Sequence, residues 1–521
     1  MSTTDPGRAA DVDLTVTTRH GPVGGRSADG TAVFRGIPYG APTTGSRRLA
    51  PPQPPEPWSR VLDCTSSAVA APQNPSILET ALGADGLVFD EDCLRLNVFT
   101  TTVDASAPVM VWFHGGGFET GTASMGWYDG TNLARRGVVV VTVGYRLGAL
   151  GFLVVPGAPG SGCFGLLDQV ASLEWVRDNV AAFGGDPDRV TVFGESAGAM
   201  SIGTLLAAPG AQGLFHRAIL QSGSTHNIVS PAMAERVADR FGTALGVDPT
   251  DLGALRAVAV DEVLAAQATL SRAEDAGLGL PWQPVLGSDA VPLLPIEAVR
   301  EGGADGVALL VGTTLEEMKL FPLITPSLAD VDDPVLVHRA QRYEAQMGRP
   351  SGSLLAAYEE RTAGLSPPDR WLALLTDLVF RIPAIRLAEA TSARGAEVRM
   401  YLFAERSDAF GGALGACHAM DLPFSWDNLG SPGTEMLVGE ITEARRTLAR
   451  RMGDVWTAFA ADAPDPSPTD MAAWPTYEPG RRATMWLAAD GVRVVDDPFG
   501  PERRWWDGLD AGLGFDPPFG D

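Results

Sequence analysis

Gly194-Glu195-Ser196-Ala197-Gly198 lies between a run of β-forming residues, Val190-Thr191-Val192-Phe193, and the small residues Ala199-Met200 that open a helical pattern. A strand that turns sharply into a helix at a serine leaves the backbone little freedom. The turn is strained, and a Cβ at either flanking glycine would collide with the neighbouring strand or helix. Such a turn presents the serine oxygen as a nucleophile. In a chain with 60 glycines the pentapeptide alone is a moderate signal, because short G-x-S-x-G matches arise by chance. The residues around it supply the rest.

Acyl transfer needs hydrogen-bond donors aimed at the oxygen on which charge develops. Upstream, Val109-Met110-Val111-Trp112-Phe113 reads as a buried strand running into His114-Gly115-Gly116-Gly117, where glycines let backbone N–H groups approach an oxyanion. The amides of Gly116, Gly117 and Ala197 would form a three-donor hole, and His114 reads as a residue that shapes the loop. In a chain with this turn the order is serine, acid, histidine. Of the six histidines (His20, His114, His216, His226, His338, His418), only His338 and His418 lie well downstream. His338 falls in an amphipathic helical pattern. His418 follows the loop Gly411 to Cys417, from which a ring can reach a serine. The acid is expected where the apolar run Gly306 to Gly312 ends, at Glu316 or Glu317; spacing does not choose between them. A histidine acting as base predicts a rate that rises with pH through its pKa.

Further ordered segments accompany these motifs: Phe34-Arg35-Gly36-Ile37-Pro38-Tyr39, Glu91-Asp92-Cys93-Leu94-Arg95-Leu96-Asn97-Val98, Tyr145-Arg146-Leu147-Gly148-Ala149-Leu150-Gly151-Phe152 and Phe183-Gly184-Gly185-Asp186-Pro187. With them the chain resembles the type-B carboxylesterase family, which includes the cholinesterases and the bacterial para-nitrobenzyl esterases, from about Thr15 to Trp506. The resemblance implies an α/β-hydrolase fold, a large and mostly parallel central sheet with helices on both faces and inserted helical segments around an active-site gorge. It implies a serine carboxylesterase that works through an acyl-enzyme, with Ser196, Glu317 and His418 as nucleophile, acid and base. The register chooses Glu317 over Glu316, although Met318 replaces the family's glycine; His418 is set by Asp421-Leu422-Pro423. Ser222 would support acid and base, and Gly144 stands where the family usually has asparagine. Phe118, Trp127, Trp282, Phe321 and Phe380 fall in segments that family members use around the gorge. Cys64 and Cys93 fall where secreted relatives have a disulfide. A carbamate or amide hydrolase with the same triad is the nearest alternative. A non-catalytic cholinesterase-like binding module is the other, and such modules lack the nucleophile or the base that this chain retains.

The net charge is −25, with 64 acidic against 39 basic residues, which makes nucleic acid and anionic membrane surfaces poor partners. A small-molecule ester is the expected partner, and the chain the expected monomer or weak homo-oligomer. The first ten residues hold no apolar core and do not read as a signal peptide. Arg146 and helix-breaking glycines interrupt the most apolar stretch, Val138 to Val155. A cytoplasmic protein is expected. Four cysteines (Cys64, Cys93, Cys163, Cys417) without C-x-x-C spacing suggest no metal site, and the chemistry calls for no cofactor. Alternating strand and helix signals imply one α/β unit over residues 15–506, with a polar tail at 1–14 and a second tail at 507–521.

Overall fold

A computed structural model of the protein describes residues 13–28, 30–66, 69–74, 86–271 and 280–509. Nearly all of the expected N-terminal tail, and most of the C-terminal one, lie outside the described residues. The main sheet is 13-stranded among them, counting a two-residue strand, Leu62–Asp63, that pairs with Pro22–Ala28 off the main path. Its first strands are β1 (Leu14–Thr17), β2 (Pro22–Ala28), β3 (Thr31–Pro38), β4 (Arg95–Thr100), β5 (Ala107–Phe113) and β6 (Val139–Val143). After these come β7 (Gly185–Glu195), β8 (Arg217–Gln221), β9 (Ala308–Thr314), β10 (Val398–Phe403), β11 (Ala483–Leu487) and β12 (Arg493–Asp496). The spatial order is β1-β2-β3-β4-β6-β5-β7-β8-β9-β10-β11-β12. From β6 across β5, β7, β8, β9 and β10 to β11 every pair is parallel, and both margins are antiparallel.

The central strands read as continuous apolar runs because helices cover both faces. Val109 to Phe113 in β5 and Val139 to Val143 in β6 are buried throughout. Helix α1 (Phe164–Asn179) carries a 3.6-residue apolar pattern from Val170 onward. Its Leu173 and Val176, with Val180 and Phe183 from the single 3₁₀ turn that follows it, are fully buried.

Strand order sets the position of the site. After β5 the chain crosses to one side to form β6, then returns past β5 to form β7 and continues the other way. Ligands of open α/β sheets bind at such a reversal, beyond the carboxyl ends of the strands. The glycine loop follows β5, Ser196 follows β7, Ser222 follows β8 and Glu317 follows β9; the loop bearing His418 leaves β10. All five segments therefore meet at one end of the parallel strands.

A buried ion pair ties the loop after β6 to α1. Arg146 Nε and Nη2 donate to Asp168 Oδ2 and Oδ1 at 2.8 and 2.7 Å, and the Arg146 amide also donates to Oδ2. Both side chains are buried. Deleting one partner of such a pair strands the other charge, which costs about 3–5 kcal/mol. Asp168→Ala is expected to lower the unfolding free energy by about that amount in urea denaturation; an unchanged midpoint would contradict the assignment.

Candidate active site

The nucleophile turn takes the form that its glycines required. Ser196 has φ 53° and ψ −127°, between β7 and helix α2 (Ala197–Leu205). Side chains rarely adopt that backbone, and it persists only where packing over-determines it. The packing is tight: a Cβ on Gly198 would come within 1.9 Å of Phe113 O, and one on Gly194 within 2.8 Å of the same oxygen. The Ser196 amide donates to Gln221 O at 2.9 Å, so β8 holds the turn from its other side.

The glycine loop lies over this turn. A Cβ on Gly115 would be 3.0 Å from Ser196 Cβ and 2.9 Å from Glu195 O. Gly116 and Gly117 have φ of +109° and +61°, and their amides make no hydrogen bond among the described residues. Ala197 is the first residue of α2, where an N–H has no intrahelical acceptor. His114 shapes the loop. Its Nδ1 lies 2.8 Å from Gly115 O, its ring stacks on Tyr145 at 4.5 Å, and the Tyr145 hydroxyl donates to His114 O. Burial lowers its pKa to about 4, against the Gly115 contact, so the ring is neutral.

The candidate acid and base meet directly. Glu317, fully buried, accepts at Oε1 from the Ser222 hydroxyl (2.6 Å) and the Thr314 amide (2.7 Å). Its Oε2 lies 2.7 Å from His418 Nδ1. The adjacent Glu316 points away, toward Lys319 and Arg406, so of the two glutamates Glu317 is the one beside the ring. His338 lies exposed on its helix.

The other imidazole nitrogen departs from expectation. Nε2 of His418 lies 3.1 Å from Glu195 Oε1, a contact without hydrogen-bond alignment. The Ser196 hydroxyl makes no hydrogen bond among the described residues. The expected serine–imidazole hydrogen bond is therefore not made in this conformation; the same nitrogen stands beside the carboxylate next in the chain. Catalytic contacts in unliganded sites are often open in this way and tighten only around substrate.

Glu195 and Asp421 are the site groups that sequence reasoning passed over in this role. Glu195 ends a buried strand, and burial raises its pKa to about 8, opposed by His418 and reinforced by Asp421 and Glu317. Asp421 accepts at Oδ2 from Gln221 Nε2 (2.9 Å) and the Tyr401 hydroxyl (2.8 Å). Burial pushes its pKa up to about 6 against those two bonds. For His418 burial favours the neutral ring, but Glu195, Glu317 and Asp421 outweigh it and raise the pKa to about 9.

Two of the five expected gorge aromatics reach the imidazole. Phe380 and Phe321 have ring centroids 4.8 and 5.2 Å from that of His418. Phe380 sits in a π-turn, Asp377–Arg381, between helices α3 (Pro367–Thr376) and α4 (Ile382–Ala393). Pro383 explains the turn: it has no N–H for the carbonyl four residues back, and its ring crowds that carbonyl. The other three aromatics are packed in the core. Phe118 stands edge-on to Phe152 at 5.2 Å and Trp282 edge-on to Phe241 at 5.6 Å, while Trp127 donates its indole N–H to Pro432 O. The pairing that the resemblance implied for Cys64 and Cys93 is likewise absent: both are buried free thiols. Burial pushes Cys64 up to about 12 and raises Cys93 as well. Among the described residues no group of three or more His, Cys, Asp or Glu is arranged to hold a metal ion, and no helix is long and apolar enough to cross a membrane.

The model of the carboxylesterase family matches residues 12–503. The para-nitrobenzyl esterase of Bacillus subtilis (strain 168) is 40% identical over 499 residues, covering 94% of this chain and 97% of that enzyme. The phenmedipham hydrolase of Pseudarthrobacter oxydans is 34% identical over 504 residues, covering 93% and 97%. A crystal structure of a Geobacillus stearothermophilus carboxylesterase at pH 6.2 superposes with a TM-score of 0.85 at 37% identity, covering 94% of this chain and 99% of that one. Fold, nucleophile turn and relatives define an α/β hydrolase of the serine-esterase class, acting on small-molecule esters. The chain belongs to the carboxylesterase family, close to its type-B and para-nitrobenzyl-esterase-like members, and is a carboxylic ester hydrolase.

Three carboxylates around one ring make a prediction that needs no substrate. In a ¹⁵N-edited NMR titration the His418 ring is expected to deprotonate well above the ordinary histidine pKa of about 6.5, near 9. Glu195→Gln should lower that midpoint, because it removes the negative charge at Nε2. A midpoint at or below the ordinary value, unmoved by Glu195→Gln, would contradict this arrangement.

Proposed function

We propose that Ser196 attacks the ester carbonyl as His418 takes its proton, with Glu317 holding the Nδ1–H tautomer and Ser222 holding Glu317. Nε2 swings from Glu195 to the serine oxygen as substrate enters. The amides of Gly116, Gly117 and Ala197 receive the oxyanion of the tetrahedral intermediate; one such donor is worth about 3 kcal/mol. The C–O bond to the alcohol breaks as His418 returns the proton to the leaving oxygen. A water activated by the same ring then releases the acid. No step calls for a metal or organic cofactor. The observation that carries this reading is the buried 2.7 Å contact between His418 Nδ1 and Glu317 Oε2, with Nε2 of the same ring beside Glu195, the residue that precedes the serine on its strained turn.

Phe321 and Phe380 would make an apolar wall suited to aryl or alkyl groups. Esters of the para-nitrobenzyl kind are a natural first substrate, given the relative of that name. Residues 15–506 act as one unit in this reading, as a monomer or weak homo-oligomer without nucleic-acid or membrane partners. A cytoplasmic setting accords with four unpaired thiols.

The test is kinetic. Ser196→Ala should abolish fluorophosphonate labelling and lower kcat by about 10⁴-fold or more. Only the neutral ring accepts a proton, so kcat/KM should rise with pH through a midpoint above the ordinary histidine value, toward 9. p-Nitrophenyl esters should be turned over at least about a hundredfold faster than the matched anilides and carbamates. Labelling that survives Ser196→Ala, a profile flat from pH 5 to pH 9, or dominance by anilides would overturn the reading.

A further inference from the structure

Glu316, the glutamate left out of the triad, sits where the two segments carrying acid and base are joined. Those segments pair through their backbones: the Glu316 amide donates to Ala416 O at 2.9 Å, and the His418 amide to Glu317 O at 3.2 Å. The Glu316 side chain closes the same junction. Its Oε2 accepts from the Ala416 amide at 3.0 Å and lies 3.2 Å from Arg406 Nε, while Oε1 lies 2.9 Å from Lys319 Nζ. Arg406 stands between β10 and the histidine loop. Gly415 admits this approach: its φ is +55°, and a Cβ there would come within 2.3 Å of Glu316 Oε2. One carboxylate thus ties the acid's own turn, the chain leaving β10 and the backbone two residues before the base.

We propose that Glu316 is a positioning residue: it latches the His418 loop to the Glu317 turn, fixing the imidazole relative to acid and serine without touching substrate. The proposal rests on the reading of Glu317 and His418 as acid and base. A histidine on the connection from β10 to the short helix Leu422–Ser425 has no strand or long helix of its own to hold it, so its placement depends on such ties. A misplacement of about 1 Å at a catalytic group can cost up to about 10²-fold in rate, whereas the half-buried Glu316 still pairs at the protein's edge, with the exposed Arg406 and the partly exposed Lys319, where ion pairs add little stability. Loss of the latch should therefore appear in turnover more than in folding.

The experiment compares Glu316→Ala, Glu316→Gln and Gly415→Ala, with rates referred to active sites counted by fluorophosphonate titration. Glu316→Ala and Gly415→Ala should lower kcat about tenfold with KM within twofold, because the contact to substrate is unchanged. The pH midpoint of kcat/KM should fall toward the ordinary histidine value as the ring loosens from Glu317. The charged groups facing that ring, Glu195, Glu317 and Asp421, are intact in all three variants. Glu316→Gln keeps an acceptor for the Ala416 amide and should retain most of the rate and the native midpoint. Native kcat per active site and a native midpoint in Glu316→Ala, or a change confined to KM, would overturn the proposal. His418→Ala is the separate control: native turnover there would refute the underlying triad, whatever the Glu316 variants do.

Discussion

Three buried carboxylates face a single imidazole, and that imbalance of charge governs the rest of the site. Glu317 holds Nδ1, Glu195 stands at Nε2, and Asp421 is bound to Gln221 and Tyr401 behind them. Charges removed from water are costly unless paired and hydrogen-bonded. The cluster meets that cost in two ways: Glu317 takes two donors besides the ring, and burial shifts Glu195 and Asp421 toward their protonated forms. The same negative surroundings favour the imidazolium that forms when a serine proton is taken. Nε2, the nitrogen that the serine needs, stands beside Glu195 in this structure.

The sheet makes this cluster possible. Parallel strands buried on both faces end together, and the reversal of strand order between β5 and β7 opens the crevice at those ends. In the proposed mechanism the main-chain donors arrive from the loop after β5, the nucleophile from β7 and the acid from β9. The base comes from a loop that must be tied in place. The helix interrupted at Asp377–Arg381 braces the site from outside: Thr376 Oγ1 accepts from the Met318 amide at 3.2 Å, next to Glu317, and Phe380 packs on His418. Asp377 secures that turn, fully buried between Arg381, Arg361 and the Tyr358 hydroxyl.

Much of this was legible in the residues, for physical reasons. The serine turn and glycine loop could be read because glycine is required where backbone must approach backbone. His418 followed from chain order and from having few rivals. Glu316 and Glu317 are adjacent and chemically alike, so spacing could not separate them; the difference is that one turns inward onto Ser222 and the other outward onto Arg406. Glu195 passed as the variable residue of a motif, yet a carboxylate at the buried end of a strand, next to the turn, was an available signal. Pro383 inside a helical run was the corresponding sign of the π-turn. Pocket aromatics were the least legible, since burial in a core and burial in a gorge wall leave the same trace in sequence.

The most direct measurement is acid-quenched turnover of an ester, followed by peptide mass analysis of the trapped enzyme. The account predicts a mass gain equal to the acyl group on the peptide containing Ser196, formed faster as pH rises and strongly slowed in His418→Ala. An acyl group carried by another residue, or trapping on Ser196 at the native rate without His418, would contradict it.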